Sequence, residues 1–418
     1  MLRDVGLCQS QDDFAKTLGV AKRTIGNAER GAHTLSLALR RALDQALEHA
    51  SDAQRDRFLA AVATHPTTIS SRSPSSSTVT PGHPNGALDG LRSAVLGTPA
   101  AIPIGGLPPS MLSPRAVMAA TVRAHRLYQL ADYDGAAQLL PGLLTCLQSQ
   151  VNVGSDDCLA STLSTRHATV AAYLAAAKLT TKLGDIALAS VTADRAMTAA
   201  RESGHLALVG AATYQVACAL LLTGELADAE QILTVGAENM VDVSATTVLG
   251  CRQEELLSVR GSLLLLLAIV ATRRGDHNTA QHALHNAGQL ARQLGDEGNW
   301  LWTAFGPTNV AIHELSIQSE LGDAKKAAQI ADIIDTDALP TVLRGRRSQV
   351  HIELAWSAAG HADDAVAVLH LLEAERVAQQ TVTRNSSARA LLGVLLARER
   401  RSVTPGLRAL ASRAGVLP

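Results

Sequence analysis

The chain has 418 residues and a formal net charge of −1, from 37 Lys and Arg against 38 Asp and Glu. That length exceeds a usual single domain, and the balance of charge excludes a bulk polyanion binder. It is 47% hydrophobic but only 2% aromatic. A core of alanine, leucine and valine suits closely packed helices better than sheets, so an all-α fold is expected. Cys8, Cys146, Cys158, Cys218 and Cys251 form no CxxC pair, which indicates neither a zinc site nor a disulfide framework and fits a reduced cytoplasm. No signal peptide is expected, because the N-terminus has no apolar stretch of that kind. The longest apolar run, Leu263 to Ala271, is nine residues, about half of a membrane span. A buried helix is expected there, and no membrane partner.

In chain order, Ser10 to Gly31 reads as two short helices about a tight turn. Ser10 with Asp13 is a capping-box pattern. Phe14, Ala15 and Leu18 form one apolar face, Gly19 suits the turn, Ile25 opens the second apolar face and Gly31 ends it. The spacing Ala15, Gly19, Ile25 is that of a DNA-binding helix-turn-helix. Between Lys16 and Arg41 six basic residues stand against the one acid Glu29, the local electrostatic footprint expected for DNA.

With Gln11, Ala15, Gly19, Val20, Thr24, Ile25 and Glu29-Arg30-Gly31 in place, the segment resembles the lambda-repressor-like, or XRE, helix-turn-helix family. The resemblance implies a recognition helix opening over Ala21 to Asn27 and a DNA-binding set of Gln11, Lys22, Arg23, Thr24, Gly26, Asn27 and Arg30. Lys22, Arg23, Gly26 and Asn27 would face the major groove, with Gln11 and Arg30 near phosphates. The sequence departs from the family at Ala28, where a large apolar or aromatic residue is usual. Gly26 and Ala21 carry little to touch bases, and only Met1 to Gly6 is left for the first helix.

Ser36 to Ala50 and Ser51 to about Val62 read as further helices, the second opened by a Ser51/Gln54 capping box. Residues 1–63 are thus expected to form a helix-turn-helix domain. Pro66 to Gly86 holds six serines, four threonines and four prolines with no acid, so 64–112 is expected to be a solvated linker. Within it, the apolar patch Leu88 to Leu96 is a candidate for docking.

Residues 113–418 carry an internal repeat. A helix-ending glycine or alanine is followed five residues later by alanine, in the pairs Ala131/Ala136, Gly184/Ala189, Gly224/Ala229, Gly275/Ala280, Gly322/Ala327 and Gly360/Ala365. An acid follows the first member in five of the six pairs, and a small residue precedes it by seven at Ala124, Ala177, Ala217 and Ala268. A left-handed cap, an acid at the next helix start and a small contact residue make a helical hairpin.

This pattern resembles the tetratricopeptide repeat, with successive turns 53, 40, 51, 47 and 38 residues apart against about 34 for that repeat. The order of parts, with Leu127 to Tyr133 and Phe305 to Asn309, resembles a group of actinobacterial regulators joining an XRE-type head to such helices. The resemblance implies an α-solenoid of hairpins whose concave face receives a peptide or small molecule. Counting back from each turn puts His125, Tyr128, Lys178, Tyr214, Gln215, Asn309, His313, Arg347 and His351 on that face as candidate ligand-binding residues. Trp300, Trp302 and Phe305 gather half of the tryptophan and phenylalanine, either as a plug between repeats or as one wall of a pocket.

No phosphate-binding GxxxxGK[ST] loop, HExxH or GxSxG occurs. His277, His282 and His285 lack a carboxylate or thiolate at ligand spacing, so no enzyme, cofactor or metal is expected. Two functions remain. One is a cytoplasmic, homodimeric transcription factor that binds double-stranded DNA and senses an effector. The other is a protein-interaction scaffold whose helix-turn-helix has lost DNA binding.

Overall fold

The computed structural model describes residues 10–18, 46, 51, 53–54, 57, 88–96, 113–152, 159–240, 250–336, 338–399 and 404–417. Among them the protein is all-α. The chain divides into two compact units, Met1–Pro81 with Ala331–Ala338, and Gly82–Ile330 with Leu339–Pro418.

The first unit contains α1 (Gln11–Thr17), where Ser10 caps through Oγ, accepting from the Asp13 amide at 3.2 Å. Phe14, Ala15 and Leu18 are buried. The Ser51 amide donates to Gln54 Oε1 at 2.8 Å, one half of the expected capping box. Lys22, Arg23, Thr24, Gly26, Asn27 and Arg30 lie outside the described residues, whereas Gln11 is half-buried on α1.

The second unit opens with α2 (Asp89–Leu96), which packs on the helix Tyr133–Asn152 and buries Leu91, Ala94 and Val95. Gln148 donates to the Ala94 carbonyl at 3.1 Å, and Arg92 pairs with Asp185 at 2.5 Å. The apolar patch inside the expected linker is therefore docked rather than solvated.

Helical hairpins follow: α3 (Pro114–Gln129) and α4 (Tyr133–Asn152), α5 (Leu159–Leu183) and α6 (Ile186–Ser203), α7 (Leu206–Thr223) and α8 (Leu226–Glu238), α9 (Gln253–Arg273) and α10 (His277–Leu294). A 3₁₀ turn (Trp300–Trp302) leads to α11 (Pro307–Glu320) and α12 (Ala324–Ile333), then to α13 (Arg344–Gly360) and α14 (Asp364–Val377). The short α15 (Gln379–Thr383), α16 (Ser386–Ala397) and α17 (Leu407–Arg413) complete the described chain. Asp185, Asp276 and Asp363 each accept the N-cap hydrogen bond of the second helix of a hairpin, while Glu225 makes no such bond.

Five turns stand where the repeat arithmetic places them, with left-handed φ at Ala131, Gly184, Gly224, Gly275 and Gly322. The sixth does not. Gly360 is the last residue of α13, and the chain turns left-handed at Ala362 (φ 60°). Shifting by two restores the motif: Asp363 caps, and Ala367 and Ala355, five after and seven before the turn, are both 0% exposed. The glycine two residues early masks the real turn in the sequence, because alanine tolerates this conformation at a cost of about 1–2 kcal/mol.

α7 and α9 are long and apolar enough to span a membrane by length and composition, yet 50% and 83% of their apolar windows are buried within the fold. The run Leu263 to Ala271 lies inside α9, buried throughout.

Candidate functional site

The first helices of the hairpins face inward, and the last part of the array folds back on the first. α13 packs against α3, Arg384 pairs with Asp134 at 3.1 Å, and Gln380 accepts from the Asp134 amide at 2.9 Å. Between them lies a pocket of about 270 Å³ bounded by α3, the start of α4, α5, α7, α9, the first turns of α13 and residues 301–304.

Three cations line it: Lys178 and Lys182, one turn apart near the end of α5, and Arg346 on α13. Among the described residues no Asp or Glu shares the wall. Lys178 Nζ donates to the Trp302 carbonyl at 2.9 Å, and Lys182 Nζ donates to Gln349 Oε1 on α13 at 3.3 Å. Burial, then the Arg346 guanidinium, lowers Lys178 to about 7 and Lys182 to about 8. Burial also raises Tyr128 to about 12 and Cys218 to about 12, and pushes Tyr133 and Tyr214 up further. The phenols and the thiol are thus neutral, and Arg346 is the permanent charge. Glu353, an acid close to Lys182, is itself raised by burial and accepts from Gln349 at 2.6 Å.

Residues 299–306 form a strap along one side. Leu301, Trp302 and Ala304 have φ of 48°, 57° and 55°, conformations that side-chain-bearing residues hold only when their surroundings enforce them. Here they are enforced. Asn299 and Gln129 exchange amide hydrogen bonds at 2.8 and 3.1 Å, and Phe305 is fully buried where Gly261 leaves room. The Trp302 ring lies on His125. The aromatic cluster is therefore both wall and plug: Trp302 lines the cavity and Phe305 fills the packing behind it.

Of the nine residues expected on the concave face, Tyr128, Lys178, Tyr214 and Gln215 line this cavity. His125 sits beside it, its Nε2 on the Ala171 carbonyl at 2.8 Å. Asn309 and His313 are buried within α11, the imidazole held to the Asn309 carbonyl at 2.9 Å. Arg347 turns to the Leu339 carbonyl at 2.8 Å, and His351 is buried against His370 at 3.4 Å. The repeat arithmetic reaches these last two by counting from Gly360. Counted from Ala362, the first groove position is Gln349, which does line the cavity.

Arg346, Lys182, Tyr133 and the strap lie outside the counted positions, so the repeat arithmetic misses them. One signal was available: Tyr128, Tyr133 and Tyr214 are three of only four tyrosines, and all three line one cavity. Among the described residues no cluster of His, Cys, Asp and Glu is arranged to hold a metal ion.

No known family model, no curated protein and no solved structure matches this chain significantly.

Proposed function

We propose that the protein is a cytoplasmic DNA-binding transcriptional regulator in which an N-terminal helix-turn-helix head is governed by a tetratricopeptide-like helical array that senses a small molecule. The observation that carries the sensing half is the cavity with Lys178, Lys182 and Arg346 on its wall and, among the described residues, no carboxylate in its lining. Like charges gathered on one partly buried wall are costly to keep together unless an anionic ligand uses them. At about 270 Å³ the space lies just under the usual range for small-molecule pockets, about 300–1,000 Å³.

The head is supported by its sequence pattern, by the basic run from Lys16 to Arg41 and by the capped α1, which buries Phe14 and Ala15. Paired heads on half-sites about 34 Å apart are the usual arrangement for such motifs, so a homodimer is part of the reading. A genome-wide pull-down of bound DNA tests it, alongside Arg23→Ala. Enrichment of discrete sites, lost or relaxed at one base position in the variant, supports the regulator. No enrichment at any site leaves the protein-interaction scaffold.

A further inference from the structure

Sensing as such requires a cavity; this one also has a chemical bias. α13 starts at its edge, where Leu343 provides no side-chain cap and Leu343, Gly345 and Arg346 line the space. The start of a 17-residue helix carries the positive end of its dipole. Arg346 adds a planar guanidinium fork suited to a carboxylate. Lys178 and Lys182 add two amino groups from α5. The remaining wall is mixed: rings and aliphatic surface from Tyr128, Tyr133, Tyr214, Val259 and Leu301 stand beside the amides of Gln129, Gln215 and Gln349. In a chain that is 2% aromatic, this concentration marks a surface for a flat apolar body.

We propose that the cavity binds a small aromatic carboxylate, its carboxylate between Arg346, Lys178 and the first turn of α13, its ring against the tyrosines. This rests on reading the array as a small-molecule sensor and names the chemistry sensed. A single negative charge suits the site better than two, because in the empty cavity only Arg346 is a permanent cation. The Lys178 amine, lowered to about 7, gains a proton when an anion settles beside it. Binding therefore takes up protons just above neutral pH, and affinity falls as pH rises through that range.

The test is calorimetric titration of the full chain, without DNA, at about pH 7.5 in buffers of different ionisation heat. The probes are benzoate, 4-hydroxybenzoate and phenylacetate, with methyl 4-hydroxybenzoate and phenyl phosphate as comparators. At least one acid should bind with net proton uptake and raise Tm. The ester should bind about tenfold or more weakly, as loss of a charge-assisted hydrogen bond does. Arg346→Met should weaken the acid by a similar factor, and Lys178→Met should reduce the proton uptake, leaving at most the share of Lys182. If Arg346→Met does not fold, Arg346→Lys is read instead, and an unchanged affinity there overturns the placement of the carboxylate. The proposal also fails if no acid saturates at millimolar concentration, if the ester binds as tightly as its acid, or if phenyl phosphate binds more tightly than all three. Because DNA is absent, any of these failures leaves the regulator standing. A chain that binds the acids but enriches no DNA sinks the regulator and keeps this site.

Discussion

The imidazole of His125 lies flat on the indole of Trp302, with ring centroids 3.7 Å apart and planes 2° from parallel. The pair joins α3 to a strap far along the chain, and Lys178 bonds the carbonyl of the same tryptophan. Strap, stack and lysine therefore form one unit on the cavity wall.

A fluorescence measurement reads that unit directly. Trp302 is one of three tryptophans, so Trp300→Phe with Trp356→Phe leaves it as the sole indole reporter. Burial, and secondarily Lys178, holds His125 well below 6.5, which keeps the imidazole neutral against the indole. With Lys178→Met added, to remove the neighbouring amine that gains its proton near pH 7, emission should stay level as pH falls from 8 to 5.5. A quenching step centred near 6.5 would show the histidine to be solvated and the stack absent.

Packing behind the strap depends on Gly261. A Cβ there would sit 2.0 Å from Cζ of Phe305, which is 0% exposed. Alanine at a helix interior would normally gain up to about 1 kcal/mol. Here Gly261→Ala should instead destabilise the protein by about 1–3 kcal/mol through overpacking, measured as the urea midpoint. Adding Phe305→Leu should return part of the loss. A Gly261→Ala variant as stable as the parent would refute the close approach.

The left-handed turns make a paired prediction. Ala362 is exposed at φ 60°, so Ala362→Gly should stabilise by about 0.5–1 kcal/mol once glycine's extra unfolded-state entropy is counted. Gly224, at φ 84° with open space around its missing Cβ, should lose about 1 kcal/mol on change to alanine. Thermal unfolding of the two single variants decides it; shifts of the same sign would place the sixth turn elsewhere.

The lysine on the cavity wall has a signature in pH. Lys178 falls from its ordinary 10.5 to about 7 in the native protein, so between those values the unfolded chain binds a proton that the native state does not. Stability from this group is accordingly lost as pH falls from about 10.5 to about 7, and is level below. Lys178→Met removes the penalty. The variant should gain on the parent as pH drops through that window, over a pH-independent loss of about 1 kcal/mol for the bond to Trp302. Urea midpoints that run parallel from pH 7 to 10 would mean a solvated lysine.

Much of the array was legible because its rules are local. A left-handed residue, an acid one position on and an alanine four beyond that lie within a single turn-and-a-half of chain, and their reasons are backbone sterics, a cap hydrogen bond and close helix contact. Asp185, Asp276 and Asp363 carry out that role. The capping by Ser10 was readable on the same footing; α2 was legible only as an apolar patch inside an expected linker.

The cavity belongs to another scale. Whether hairpins leave an open groove or curl until the last meets the first depends on many small rotations between neighbours, which no single motif encodes. That curl sets Arg346 across from Lys178, brings a tyrosine-rich wall together from α3, α4 and α7, and holds Leu301, Trp302 and Ala304 in left-handed conformations that the strap alone would avoid. The choice between Gly360 and Ala362 is the same lesson in miniature. Both are permitted turn residues locally, and only the burial of Ala355 and Ala367 against their neighbours selects the second. Residue order alone specifies the helices, their caps and five of the six turns. Packing across the array selects which charged side chains share one cavity, because burial and mutual repulsion act between groups that the chain keeps far apart.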